Sequence, residues 1–90
     1  MITAAQMRAA RALLGIDQRE LAGLSRLSLP TVQRMEASGG VVRGTVDSLM
    51  KLIAALNEAG IEIISENSPS QGQGRGVRLI LPVSEGGARP

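Results

Sequence analysis

The stretch DQRELAGLSRLSLPTVQRME, residues 17–36, contains two short amphipathic helices joined by a tight four-residue connection, and its reading decides the fold. Asp17 is placed to N-cap the first helix, with Glu20 three residues on as in a capping box. The apolar stripe of that helix is Leu21, Ala22 and Leu24. Ser28 is an equally good N-cap for the second, and Pro30 falls in its first turn, where a missing N–H costs nothing. Leu27, Val32 and Met35 form the inward face. Thr31, Gln33 and Arg34 stand opposite, with side chains that exchange hydrogen bonds with base edges and phosphates.

Working outward, Thr3 caps a preceding helix that runs to Leu14, with Met7, Ala10, Leu13 and Leu14 on its inner side and Gly15 as its stop. Arg8 and Arg11 lie three apart on one side of it. Ser38-Gly39-Gly40 breaks the helix that began at Ser28, and Val41 to Gly44 reads as a loop. Thr45 caps a fourth helix, Val46 to about Ala59, whose Val46, Leu49, Met50, Ile53, Leu56 and Asn57 recur near a 3.6-residue period. Gly60 closes it, and Ile61 is placed for the apolar contact that goes with such a C-cap. Met7, Met35 and Met50 fall on apolar faces as core filling.

Beyond Gly60 the pattern changes to β-branched runs, residues 61–64 and 77–81, which predict two strands. The intervening ENSPSQGQGRG, residues 66–76, reads as a flexible loop; its glycines lack the lysine and following helix of a phosphate-binding loop. Pro82 ends the second strand, and residues 82–90 read as a disordered tail. An isolated hairpin is marginal in water, so Ile61, Ile63, Val77, Leu79 and Leu81 are expected to form a dimer contact. The organisation expected is a helical domain over residues 1–60, a dimerising hairpin over 61–81 and a tail over 82–90.

The chain has 90 residues, no cysteine and no histidine, which removes disulfides, zinc fingers, thiol nucleophiles and imidazole catalysis. No metal, cofactor or enzymatic role is expected. No apolar run approaches the roughly eighteen to twenty residues of a membrane span, so a cytoplasmic protein without membrane contact is expected. The net charge of +2 divides unevenly. Residues 1–45 hold six arginines against three acids, a net +3, whereas residues 46–90 hold four bases against five acids, a net −1. The basic half is the half with the paired helices, as attraction to phosphate requires.

Taken in order, RAARALLG at 8–15, DQRELA at 17–22, SLPTVQRME at 28–36 and the following TVDSL resemble the phage-repressor and Cro-like (Xre) helix-turn-helix family over residues 2–60. The resemblance implies a mainly α, four-helix repressor-like domain. It further implies that Gln18 holds a phosphate, that Leu29, Pro30, Thr31, Gln33 and Arg34 face bases, and that Arg43, Gly44 and Thr45 touch phosphate. It pairs Arg11 with Glu36 as a structural tie between helices one and three. Three departures from the family pattern matter. A non-glycine residue, Arg26 or Ser25, stands in the turn, and Arg26 can point at the DNA backbone, with Ser28 beside it. Leu29 and Pro30 offer only apolar contact, for example to a thymine methyl, which moves base reading to Gln33 and Arg34. A β-tail replaces a fifth helix, as in short bacterial regulators.

The expected function is therefore sequence-specific binding of double-stranded DNA by a homodimeric transcriptional repressor on a palindromic operator. The alternative is an antitoxin or antiactivator that uses the same fold mainly to bind a protein partner.

Overall fold

The computed structural model of the chain describes residues 2–80. Four helices form it: α1, Ala4–Leu14; α2, Gln18–Ser25; α3, Leu29–Glu36; and α4, Val46–Glu58. Helix α2 packs on α3 and α4, and α1 packs on α3. None of the four is long and apolar enough to cross a membrane. The connection between α2 and α3 is residues 26–28, one residue tighter than the sequence implies.

Each helix starts where a side-chain oxygen can take a free N–H of the first turn. Thr3 accepts from Gln6 and Asp17 from Glu20, both in reciprocal capping boxes, while Ser28 accepts from Thr31 and Thr45 from Ser48. Three of the four ends are also alike. The amides of Ile16, Leu27 and Ile61 donate back to the carbonyls of Arg11, Ala22 and Leu56 at 3.1, 3.0 and 2.8 Å. Each such return requires a left-handed residue just before it. At α1 and α4 that residue is Gly15 (φ 69°) and Gly60 (φ 96°), but at α2 it is Arg26 (φ 59°).

Arg26 therefore holds a conformation that disfavours a β-carbon by about 1–2 kcal/mol. Glycine would relieve that strain and lose part of the gain to its greater unfolded-state freedom. Arg26→Gly is expected to raise unfolding stability by about 0.5–1 kcal/mol, measured by urea denaturation. An unchanged or lower midpoint would mean that the Arg26 side chain stabilises the turn by more than its backbone strains it.

Ile2, Met7, Leu21, Val32, Met35, Leu52 and Leu56 are the largest fully buried side chains. Several inward assignments from periodicity do not hold. Val46 and Met50 are 73% and 65% exposed, so Met50 does not fill the core, and Leu13 and Leu24 are more than half exposed. Asn57 is exposed as well. Helix α4 is apolar around much of its circumference, so a 3.6-residue period fits more than one phase. The buried face is Leu52, Ala55 and Leu56, with Leu49 and Ile53 at its margins. Leu24 lines a shallow cleft of about 250 Å³ with Arg26, Lys51, Ala54, Ala55 and Glu58.

The loop after α3 is pinned more firmly than its glycines imply. The amides of Ala4 and Val42 donate to the carbonyls of Gly40 and Ile2 at 2.8 and 3.0 Å, and Thr3 forms a single antiparallel bridge with Val41. This zip drives Ile2 and Val42 into the core at 1% and 2% exposure.

Among the described residues there is no strand. Residues 61–64 dock on the helices instead: Ile61 and Ile63 pack against the core, and the Gln6 amide Nε2 donates to the Ile64 carbonyl at 3.0 Å. Val77 and Leu79 are 86% and 80% exposed. Leu81, Pro82 and the expected tail lie outside the described residues. Within the 66–76 loop, residues 70–72 wrap the Glu62 carboxylate, which accepts from Ser70 Oγ and from the amides of Gln71 and Gly72 at 2.9, 2.7 and 3.0 Å. Those donors, led by the Gln71 amide, hold the Glu62 carboxyl below the usual carboxylate range. A β-carbon at residue 72 would stand 2.8 Å from Glu62 Oε1, so a larger residue there would require the Glu62 side chain to move aside. Arg78 folds over the carbonyls of Ser65 and Ser68.

Candidate nucleic-acid interface

One carboxylate organises the side of the domain where α1, α2 and α3 meet. Arg11 grips Glu36 with two prongs, Nε to Oε2 at 2.6 Å and Nη2 to Oε1 at 2.9 Å. Planar guanidinium and planar carboxylate match in this geometry, which makes the contact directional as well as ionic. The Glu36 side chain is only 4% exposed and that of Arg11 22%. Arg8 adds a third tie, donating from Nη1 to the Glu36 backbone carbonyl at 2.8 Å. Burial by itself would raise the Glu36 carboxyl. The Arg11 and Gln18 hydrogen bonds, with the charges of Arg11 and Arg8, outweigh it and leave the group below the usual range. The hydrogen bond to Glu36 holds the Arg11 guanidinium still more firmly protonated. The Arg11–Glu36 tie is thus present as read from the sequence, and Arg8 is a clamp that sequence reading left without a role.

Gln18 is drawn into the same cluster. Its amide Nε2 donates to Glu36 Oε1 at 3.0 Å, and the side chain is half-buried. Its neighbour Arg19, which received no role from the sequence, is exposed in the first turn of α2. The only signal for it was its place directly after Gln18.

Along α3 the inward side is Val32, Met35 and Glu36. Pro30, Gln33 and Arg34 are exposed, while Leu29 and Thr31 are half-buried. A short polar chain runs back to the helix start. Ser28 Oγ accepts the Thr31 amide, its hydroxyl pairs with Thr31 Oγ1 at 2.8 Å, and Arg34 Nη2 donates to Thr31 Oγ1 at 3.4 Å. Ser28 and Thr31 are therefore engaged by the cap itself, which leaves Gln33 and Arg34 as the open polar groups of α3.

The loop before α4 combines packing with exposure. Arg43 is exposed, its amide donating to Ser38 Oγ at 3.3 Å. A β-carbon at Gly44 would come within 3.3 Å of Met35 Cε, so this glycine permits close approach of loop to core. Thr45 uses its hydroxyl as the α4 cap and donates to Ser48 Oγ at 3.0 Å.

The structure thus brings together Arg11, Gln18 and Glu36 in one cluster and Ser28, Thr31 and Arg34 in another. Of the residues expected at a dimer contact, Ile61 and Ile63 are partly buried against the helical core, whereas Val77 and Leu79 are exposed. Comparison with known protein families, curated proteins and solved structures finds no match for the chain.

Proposed function

We propose that the chain binds double-stranded DNA as a transcriptional regulator, a dimeric repressor on a palindrome whose half-site centres lie roughly 10–10.5 base pairs apart. The observation that carries this reading is the division of α3, with Val32, Met35 and Glu36 buried against Pro30, Gln33 and Arg34 exposed. A helix fixed by one side, with hydrogen-bonding side chains on the other, suits entry into a major groove. Charge supports the reading too. Arg19, Arg26 and Arg43 are exposed and make no ion pair among the described residues. The strain at Arg26 fits a side chain held at the turn for phosphate. Pairing of copies falls to Val77, Leu79 and Leu81 with Ile61 and Ile63, which the helical core covers only in part.

The test is a mobility-shift titration against salt. Three phosphate contacts per copy, six per dimer, would give a slope of log affinity on log salt of about −5, because each neutralised phosphate releases counterions. Binding that ignores salt, or no shift at low salt, would overturn the proposal. A protein partner would then be the alternative, with exposed Leu24 and Met50 as apolar contacts.

A further inference from the structure

We infer that Glu36 is a positioning residue for the phosphate contact of Gln18, an inference that rests on the DNA-binding reading above. Glu36 touches no nucleic acid in this scheme; it acts through the amide it holds. Its carboxylate is buried, and the two Arg11 prongs at 2.6 and 2.9 Å fix the plane of the group. The shared oxygen Oε1 also takes one N–H of the Gln18 amide at 3.0 Å. Gln18 is the first residue of α2 and is half-buried, so its side chain is fixed at both ends. The second N–H of that amide makes no hydrogen bond among the described residues, which leaves it for a phosphate oxygen.

A glutamine free to rotate gives up several rotamers when it grips a phosphate, and that loss is subtracted from affinity. Here the rotamers are already restricted in the unbound protein, and the restriction comes from α1 through Arg11 and from α3 through Glu36. The tie between helices one and three is thereby also the support of a contact on helix two. An amide held this way is preorganised in the sense used for rigid ligands, with the protein as the rigid side.

The test has one arm without DNA and one with it. In the full-length 15N-labelled protein, the Gln18 side-chain amide should be as ordered as the backbone. A mobile Gln18 amide would overturn the inference at once. In the second arm, Gln18→Ala and Gln18→Asn should weaken binding about 2–10-fold, alike on preferred and random duplexes, and Glu36→Met, which removes both acceptor oxygens, should do the same. The Gln18→Ala/Glu36→Met double variant should bind no more weakly than Gln18→Ala, because both changes remove one contact. Losses that multiply would overturn the positioning role. Should Glu36→Met fail to fold, Gln18→Asn decides: it keeps the amide but is a methylene too short for Glu36, and wild-type affinity would overturn the inference. No DNA binding by the wild type would take the inference down together with the reading beneath it, whatever the state of the Gln18 amide.

Discussion

Glu36→Ala is expected to destabilise the domain by about 3 kcal/mol, near the lower end of the range for breaking a buried ion pair, because Arg11 keeps some solvent contact. The substitution removes the acceptor of both Arg11 prongs and of Gln18 together, and it leaves the Arg11 guanidinium beside an apolar gap. For a small domain whose whole stability is about 5 kcal/mol, the thermal midpoint should fall by roughly 12–24 °C, read by circular dichroism. Arg11→Ala should cost a comparable amount, and the double variant less than the sum of the two. The pair also sets a pH dependence. The folded-state pKa of Glu36 lies below its unfolded value. Its contribution is therefore complete above an unfolded carboxyl value of about 4.3 and is lost as pH falls through the lower folded one. Glu36→Gln should flatten the stability curve below about pH 4 relative to wild type. A wild-type curve as flat as that of Glu36→Gln would show that the pair adds nothing net.

Local chemistry made the helices legible and tertiary packing decided what periodicity could not. Thr3, Asp17, Ser28 and Thr45 each carry an oxygen one position ahead of an apolar repeat, and all four cap as that pattern requires. Arg11 and Glu36 were legible only through resemblance, since nothing local links residues 25 apart. The phase of α4 was not legible: Val46, Met50 and Leu52 are all apolar, and only tertiary packing selects Leu52 for the core. Ile2 and Val42 escaped for a different reason. Their burial depends on a two-bond zip between the chain start and a glycine-rich loop, a non-local pairing with no periodic signature. In the candidate interface the division of labour among the polar residues was hidden, and no local pattern marked Arg8 as a clamp on the Glu36 carbonyl. Ser28 and Thr45 look alike to a reader of phosphate contacts and of helix caps, because one hydroxyl serves either purpose.

Arg34→Ala should reduce affinity for the preferred duplex by about 1–3 kcal/mol, roughly 5–150-fold, while leaving binding to random duplex nearly unchanged. The preferred duplex is the one recovered by selection from a randomised pool. The guanidinium is exposed and carries one weak internal bond, to Thr31 at 3.4 Å, so its remaining donors are available in the fork that matches guanine O6 and N7. Arg34→Lys separates charge from shape. A lysine keeps the positive charge but not the fork, so it should retain random binding and lose most of the preference, and 7-deazaguanine in the site should reproduce that loss with the wild-type protein. Equal weakening of Arg34→Ala on both duplexes would instead make Arg34 a phosphate contact. Leu29 and Pro30, at the start of the same helix, can add only apolar contact, for which thymine offers a methyl and uracil does not. If Arg34 is the main hydrogen-bonding reader, uracil in place of thymine should cost less than 7-deazaguanine in place of guanine. What preference survives both replacements then measures the part carried by duplex shape and half-site spacing.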